Sequence, residues 1–286
     1  MALISLGCVE FNVCTQEPGP VIGHLATNFD IRESGTRGKE TPIGNLIADA
    51  LSQSLKTRCA TQAGPYCPEI TLINGGAIRQ DSPCGTREQL LAGPIYQSDL
   101  AQLLPFPDQV VVVRLSGEEI KLALEHAVSD LGRPNERALA PHFLHVSGIS
   151  FTVDCHQPPQ ALSTDGHTVS RPGARVSKIM LTDQKPAEPL LFHRHYEVAM
   201  PLFLAHGKDG FLAFLQRDQN GRVIYKSPNV PLTKANLRTD VMLNDNQKPF
   251  ILRELVSAWM TSQEALAIDI PAPSLGRITF RNCQQI

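Results

Sequence analysis

Apolar residues recur at intervals of three and four along residues 43–55, a spacing that predicts an amphipathic helix with one buried face. Thr41 precedes this pattern and is a favourable N-cap residue. Pro42 fits the first helical position, where its missing N–H would have no intrahelical partner. Asp49 lies off the apolar face, so we expect its carboxylate to be solvated or hydrogen-bonded.

The run of residues 109–115 is almost entirely β-branched, as expected of a strand that is covered on both faces and lies inside a sheet. Ser116 and Glu119 then form a capping box for a helix whose apolar residues continue to Val128. Weaker patterns predict strands at 69–73, 143–154 with a bend at Gly148, 175–181, 196–200 and 274–281, and a helix at 246–260 with Pro249 in its first turn. Charged or proline-rich stretches at 31–40, 60–68 and 155–175 are expected to be loops.

These elements follow one another without an internal repeat and without a linker long enough to divide the chain. The mixture of helices and strands predicts a single α+β domain, a mixed sheet with packed helices, over residues 20–286. Residues 1–19 are expected to form an N-terminal extension.

The first candidate ligand-binding residues lie at the end of one predicted strand. The predicted strand at 69–73 runs into Asn74, Gly75 and Gly76, and an apolar run that stops at paired glycines indicates a sharp turn or a close backbone approach. Asn74 offers a donor and an acceptor, and Arg79 a planar fork suited to phosphate, carboxylate or vicinal hydroxyls. A plain strand-to-loop turn with a surface arginine explains the same stretch equally well.

Two aromatic residues lie in loop-like sequence beside element ends. Phe106 stands between two prolines, which stiffen the backbone and limit how far the ring can retreat; packing beneath its own loop is the usual alternative. Phe203 precedes a turn in which glycines bracket Asp209, and Arg37 lies in the charged loop at 31–40. Two aromatics, two arginines, an amide and a carboxylate would together suit a nucleotide.

The composition limits which binding partners the chain is expected to have. A formal charge of -2 and a pI near 6.5 argue against nucleic acid or an anionic membrane surface held by a general positive field. No stretch reaches the roughly 18 consecutive apolar residues of a membrane-spanning helix. The N-terminus lacks a basic region and is a poor signal peptide. The 7 cysteines include no CxxC pair, and Cys59 with Cys67 could close a small loop in an oxidising compartment.

The chain resembles the C-terminal, substrate-binding domain of the 5'-nucleotidase and UDP-sugar hydrolase family. The matching stretches occur in the family's order over roughly residues 20–281: Arg37 with Glu40, Gly44-Asn45-Leu46-Ile47-Ala48-Asp49-Ala50, Asn74-Gly75-Gly76-Ala77-Ile78-Arg79, Leu104-Pro105-Phe106, Val146-Ser147-Gly148-Ile149 and residues 203–211. The resemblance implies that Phe106 and Phe203 stack on either side of a base. It implies further that Arg37, Arg79 and Asn74 address phosphate and sugar, and that Asp209 takes ribose hydroxyls.

Two departures from the family pattern remove no side chain that such a ligand needs. Lys208 replaces a glycine before Asp209, and Ala77 replaces the third glycine after Asn74. Catalysis in the family belongs to an N-terminal metallophosphatase domain, where two divalent metals polarise the phosphate and supply a hydroxide.

The motifs of that catalytic domain are not found in this sequence, which has no Asn-His pair. Asp165-Gly166-His167 and His193-Arg194-His195 imitate two of them, but their context favours a structural interpretation. We therefore expect no catalytic residue, no metal site and no cofactor in this chain.

Three functions are compatible with the sequence. The chain is either the nucleotide-recognition domain of a 5'-nucleotidase-type phosphohydrolase, a free-standing nucleotide- or nucleoside-binding module, or a domain with a vestigial pocket that mediates contacts. Its expected partners are a nucleotide or nucleoside and, for the first function, a metallophosphatase domain or chain. The family resemblance implies an extracytoplasmic setting, although the N-terminus offers no export signal.

Overall fold

A computed structural model describes residues 18–62, 67–82, 84–132, 139–166, 168–215, 239–241 and 249–283. Its helices are α1 (Glu33–Thr36), α2 (Pro42–Gln62), α3 (Gln97–Leu103), α4 (Gly117–Ala127), α5 (Leu202–Ala205) and α6 (Leu252–Ala265). Three single 3₁₀ turns complete them: Gly75–Ala77, Lys208–Gly210 and Leu212–Phe214. None of the helices in the described segments is long and apolar enough to cross a membrane.

The strands are mostly short. They are β1 (Val21–Leu25), β2 (Phe29–Asp30), β3 (Ile70–Asn74), β4 (Asp81–Ser82), β5 (Gly85–Thr86), β6 (Gln89–Leu90), β7 (Gly93–Tyr96), β8 (Val110–Ser116), β9 (Leu144–Ser147), β10 (Ile149–Asp154), β11 (Ala161–Leu162), β12 (Val169–Arg171), β13 (Val176–Leu181), β14 (Glu188–Pro189), β15 (His195–Pro201), β16 (Thr239–Val241) and β17 (Ile278–Arg281). A five-stranded sheet has the order β16-β8-β15-β3-β9, and a four-stranded sheet has the order β14-β13-β10-β17. The remaining strands pair in twos.

The directions of the strands in the five-stranded sheet determine which strand ends lie side by side. β15 runs parallel to β3, whereas β8 and β9 run antiparallel to the strands beside them. Pro201 at the end of β15 pairs with Val110 at the start of β8, and Asn74 at the end of β3 pairs with Leu144 at the start of β9. We call this side, defined by these four residues, the carboxyl edge.

The core lies on both faces of the five-stranded sheet. Alternate residues of β8 belong to different clusters: Val111 and Val113 pack with α4 and the four-stranded sheet, whereas Val110 and Val112 pack with α2 and α6. This alternation confirms that β8 is covered on both faces. The α+β class, with mixed sheets and packed helices, is also confirmed.

Local signals in the sequence placed several elements correctly. Thr41 accepts a hydrogen bond from the Gly44 N–H, and Ser116 with Glu119 forms the predicted capping box. Asp49 is hydrogen-bonded, as expected: it accepts from Ser147 and forms a bidentate pair with Arg277.

Four predictions about loops and helix ends are wrong. The loop predicted at 31–40 contains α1, α2 continues into the loop predicted from residue 60, and the insertion at 155–175 contains the β11–β12 hairpin. Helix α6 begins at Leu252, so Pro249 precedes it instead of occupying its first turn. The backbone around Phe250 instead forms bridges with the strand start near Gln109. The N-terminal part of the predicted 246–260 helix, residues 246–248, lies outside the described residues, as do residues 1–17 of the predicted extension.

The bend predicted at Gly148 is larger than a bend within one strand. It separates β9 from β10, which belong to different sheets. Gly148 has a φ of 84°, and a Cβ there would lie 2.1 Å from the Glu69 carbonyl oxygen. Only glycine combines this backbone angle with so close an approach.

Two disulfides link described cysteines. Cys59 pairs with Cys67, the pair that the sequence suggested. Cys155 pairs with Cys283 and joins the ends of the parallel neighbours β10 and β17. Sequence alone offered no basis for the second pairing, because its partners are separated by 128 residues.

Candidate functional site

Asn74 and Asp209 meet at the carboxyl edge of the five-stranded sheet. Asn74 ends β3, and Asp209 lies in the 3₁₀ turn that follows β15 and α5. Because β3 and β15 are parallel neighbours, the loops after them lie side by side. Asn74 Nδ2 donates a hydrogen bond to Asp209 Oδ2 at 3.1 Å, across 135 residues of sequence.

Arg37 and Arg79 converge on one carboxylate, that of Glu33. Arg37 follows α1 directly and donates from Nη2 to Glu33 Oε1 at 2.5 Å. Arg79 follows the 3₁₀ turn after β3, and its Nη1 lies 3.5 Å from the same oxygen. No motif in the sequence marks Glu33, although its spacing of four residues from Arg37 is the spacing at which helical side chains pair.

The paired glycines bring the Arg37 segment against the end of β3. Gly75 donates its N–H to the Phe143 carbonyl at 2.7 Å, and a Cβ on Gly75 would lie 2.1 Å from the Thr36 carbonyl oxygen. The same Thr36 oxygen accepts a hydrogen bond from His145 Nε2 at 2.9 Å. The close backbone approach predicted from the glycine pair is therefore present, and it is an approach of one part of the chain to another.

Phe106 and Phe203 are both exposed at this edge, by 44% and 40%. Phe106 lies four residues before β8 and Phe203 two residues after β15, and the start of β8 pairs with the end of β15. Leu202 N–H also donates to the Gln109 carbonyl at 2.7 Å, which ties the two aromatic segments together. The Phe106 ring is thus displayed instead of packed beneath its loop, and its centroid lies 6.0 Å from the Arg79 guanidinium.

The turn that carries Asp209 has an unusual backbone. Asp209 has a φ of 55°, between Gly207 at 70° and Gly210 at 84°. The Asp209 carbonyl oxygen accepts from His126 Nε2 at 2.7 Å, and the His126 ring stacks on His142 with centroids 4.7 Å apart. Sequence reasoning missed His126, because no local pattern links the end of α4 to this turn.

Burial sets the electrostatics of these groups. It raises the pKa of Asp209, while the hydrogen bond from Asn74 and the nearby charges of His126 and Arg37 act in the opposite direction. Burial likewise lowers the pKa of Arg37, opposed by the Glu33 carboxylate. The pKa of His126 is lowered because the ring is removed from water. A buried amide with a partly buried carboxylate and guanidinium, beside exposed aromatic rings, can hydrogen-bond a polar ligand while a ring stacks on its planar part.

Three other residues of the matching stretches, Glu40, Asn45 and Asp49, make contacts within the fold. Glu40 accepts hydrogen bonds from Asn45 Nδ2 at 2.7 Å and from the backbone N–H groups of Gly276, at 2.9 Å, and Ile278. Asp49 pairs with Arg277, whose Nη1 also donates to the Val146 carbonyl. These contacts fasten α2 to the segment that leads into β17.

The described residues offer no group of three His, Cys, Asp or Glu side chains that could hold a metal ion. His193 and His195 are exposed, and His167 lies outside the described residues. The expectation that this chain holds no metal stays a prediction.

The carboxyl edge of this α+β domain presents two aromatics, two arginines, an amide and a carboxylate, side chains whose chemistry suits a polar ligand with a planar part. A family model of the "5'-nucleotidase, C-terminal domain" matches residues 21–216. The 5'-nucleotidase of Homo sapiens is 32% identical over 204 residues, which are 70% of this chain and 31% of that protein, and the 5'-nucleotidase of Bos taurus is 33% identical over 205 residues, with the same coverage. The crystal structure of a 5'-nucleotidase precursor from Thermus thermophilus superposes with a TM-score of 0.64 at 25% identity, over 92% of this chain and 39% of that one.

The chain belongs to the 5'-nucleotidase C-terminal domain family. It spans about a third of the length of the curated relatives it matches. The resemblance predicted from the sequence motifs is thereby confirmed. The six predicted site residues, Arg37, Asn74, Arg79, Phe106, Phe203 and Asp209, stay predictions as ligand contacts.

Proposed function

We propose that this chain is the nucleotide- or nucleoside-recognition domain of a 5'-nucleotidase-type phosphohydrolase. One observation carries the proposal: residues from four separate segments, 37 to 209 in sequence, converge at the carboxyl edge with two exposed aromatic rings among them. Two exposed phenylalanine rings at one edge offer apolar surface that a stacked partner would remove from water. A planar base is a partner that two such rings can stack on.

Each polar group has a role that its chemistry supports. Arg37 and Arg79 would address phosphate, because guanidinium groups bind phosphate oxygens in a forked geometry. Asp209 and Asn74 would bind sugar hydroxyls, since together they provide acceptors and a donor. Hydrolysis would come from a metallophosphatase domain or chain that holds two divalent metals, with this domain presenting the nucleotide to them.

Calorimetry with AMP and adenosine tests the recognition step. We expect both ligands to bind the wild-type chain in the micromolar range or more weakly, and Phe106→Ala or Phe203→Ala to weaken binding about tenfold or more, as stacking on a base contributes roughly 1–3 kcal/mol. Phe192→Ala is the matched control, because Phe192 is 53% exposed but precedes the opposite end of β15. Absence of heat with both ligands, or equal losses in all three variants, would contradict the proposal and leave a domain that mediates contacts.

A phosphatase assay tests where hydrolysis occurs. With added manganese or zinc, the purified chain is expected to release no phosphate from AMP, and turnover is expected when a metallophosphatase domain is supplied. Metal-dependent turnover by the rigorously purified chain would place catalysis within it. Binding of AMP without turnover in any pairing would favour a free-standing nucleotide-binding module.

The proposed setting is extracytoplasmic. The disulfides Cys59–Cys67 and Cys155–Cys283 support it, because such bonds persist in oxidising compartments. Free-thiol titration of the chain purified under non-reducing conditions tests this point, with unreacted cysteines at these four positions as the expected result.

A further inference from the structure

Glu33 occupies the position between the two arginines of the candidate site. Its side chain is 15% exposed, and that of Arg37 is 13% exposed, so their ion pair is largely removed from water. Arg79 faces the same Glu33 oxygen and is 31% exposed. Arg37 also senses the charges of Arg79 and Asp209. The Glu33 carboxylate therefore pairs with the two guanidinium groups that an anionic ligand would need.

Glu33 is held in this position by its backbone. It is the first residue of α1, and its N–H donates to Gln80 Oε1 at 2.7 Å. Gln80 directly follows Arg79, so the same short segment anchors the backbone of Glu33 and carries the second arginine. A ligand that displaces the Glu33 side chain breaks a partly buried pair with Arg37, which is unfavourable because a charge largely removed from water would lose its partner.

The net charge of Glu33, Arg37 and Arg79 is lower than that of a phosphate site built from two arginines alone. Two guanidinium groups and one carboxylate leave one net positive charge, whereas the terminal phosphate of a nucleotide carries up to two negative charges at neutral pH. A dianion brought to the arginines would also lie beside the Glu33 carboxylate, and like charges at close range repel strongly where water is excluded.

We propose that Glu33 is a specificity-determining residue that sets the ligand charge which this site accepts. It disfavours a dianionic phosphate monoester relative to a neutral nucleoside or a singly charged phosphate diester that carries the same base and sugar. This inference rests on the proposed function, since it concerns the same site. It adds a residue and a substrate preference that neither the motif positions nor the aromatic rings indicate.

The test compares Glu33→Gln with the wild-type chain by calorimetry at pH 7.5. Glutamine keeps the size of the side chain and the backbone bond to Gln80, and it removes only the charge. The expected result is at least a tenfold gain in affinity for AMP, equal to about 1.4 kcal/mol, with less than a twofold change for adenosine. Glu188→Gln is the matched control: it removes one negative charge from an exposed position on β14 and is expected to leave both affinities unchanged.

The outcomes separate this inference from the proposed function. If the wild type binds AMP and Glu33→Gln binds it equally or more weakly, the inference is wrong and the proposed function stands. If neither protein binds AMP or adenosine, both are wrong. An equal gain from Glu188→Gln would show a general effect of net charge and would also overturn the role of Glu33.

A second measurement on the wild-type chain covers the case in which the variant does not fold. AMP and its phosphate methyl ester share a base and a sugar but carry up to two and one negative charges. The ester is expected to bind at least as tightly as AMP. Tenfold tighter binding of AMP would overturn the inference.

Discussion

At the scale of single residues, removal from water and one or two hydrogen bonds decide how the polar groups of the site behave. Asp209 shows both influences: burial raises its pKa, and the hydrogen bond from Asn74 lowers it. Burial disfavours the charged form of a carboxyl, whereas a donor to the carboxylate favours it. Asn74 therefore keeps Asp209 closer to the ionised form that can accept from ligand hydroxyls.

Asn74→Ala is expected to raise the pKa of Asp209 further, because the donor that stabilises the carboxylate is lost while burial remains. A pH titration followed by carboxyl ¹³C NMR measures this change. Asn282→Ala is the matched control, since Asn282 Nδ2 donates to Asp154 at 2.9 Å on another surface. The control is expected to raise the pKa of Asp154 and to leave Asp209 unchanged; the same Asp209 titration in wild type and Asn74→Ala would contradict the assignment.

His145 makes stability depend on pH. Burial lowers its pKa from 6.5 to about 4, and its Nε2 donates to the Thr36 carbonyl. Between these two pH values the unfolded chain binds a proton at His145 that the folded chain does not, so the contribution of His145 to stability is fully present above pH 6.5 and is lost as the pH falls toward 4. The loss amounts to roughly 3 kcal/mol.

Urea unfolding at pH 7, 6 and 5 measures this dependence. In His145→Gln the amide does not titrate, so the free energy of unfolding should fall less steeply between pH 6.5 and 4. His126, whose pKa burial also lowers, adds to the slope in both proteins. The exposed His193→Gln serves as the control, and a slope for His145→Gln equal to that of the wild type would show that His145 is not the cause.

At the scale of elements, glycines allow the backbones around the site to come together. A Cβ on Gly44 in α2 would lie 2.1 Å from His145 Nδ1 in β9, and real Cβ atoms do not approach so closely. Gly44 therefore leaves room for the His145 ring, and Gly75 leaves room for the Thr36 carbonyl, which directly precedes Arg37 and accepts the hydrogen bond from His145. Packed interiors respond to even one added methyl group, because neighbouring atoms have little room to move.

A double-mutant cycle tests the contact between α2 and β9. Gly44→Ala is expected to lower the free energy of unfolding by about 1–3 kcal/mol through overpacking. His145→Ala loses the bond to Thr36 but opens space, so the double variant should be more stable than the sum of the single losses predicts, by roughly 1 kcal/mol or more. Strict additivity, measured by urea unfolding at pH 7.5, would show that the ring and the glycine do not share this space.

At the scale of the whole molecule, the last strand joins a sheet that begins more than a hundred residues earlier. β17 pairs in parallel with β10, and the Cys155–Cys283 disulfide links their ends. Glu40 and Asp49 of the α2 region hold the segment just before β17. The C-terminal strand thus depends on contacts between residues that are far apart in sequence. The disulfide is covalent, so it also constrains the unfolded chain.

Replacing Cys155 and Cys283 by serine together should lower the free energy of unfolding by about 5 kcal/mol, since the bond closes a long loop. The Cys59–Cys67 pair, separated by 8 residues, is the matched comparison, and its removal should cost only about 2.5 kcal/mol. Urea unfolding under non-reducing conditions measures both. Equal losses from the two double variants would contradict the dependence on loop length.

Local chemistry accounts for the elements that were predicted correctly. The α2 start at Pro42, the β8 strand and the capping box at Ser116 each depend on residues within one turn or one strand of each other. The errors arise where the deciding partner is distant: Pro249 lies in an extended segment because the backbone beside it pairs near Gln109, and the strand predicted at 143–154 divides because Gly148 packs against Glu69.

The sequence by itself determined the family, the α+β class and six candidate site residues, because these depend on motifs and on periodicity that can be counted along the chain. Only the tertiary structure decided that Phe106 is displayed, that Asn74 donates to Asp209, and that Glu33 lies between the two arginines. The physical reason is long-range packing: parallel pairing of β3 with β15 brings Asn74 to Asp209, and contact of the α1 segment with the turn after β3 brings Glu33 to Arg79. Burial and charge at that edge exist only once those loops meet.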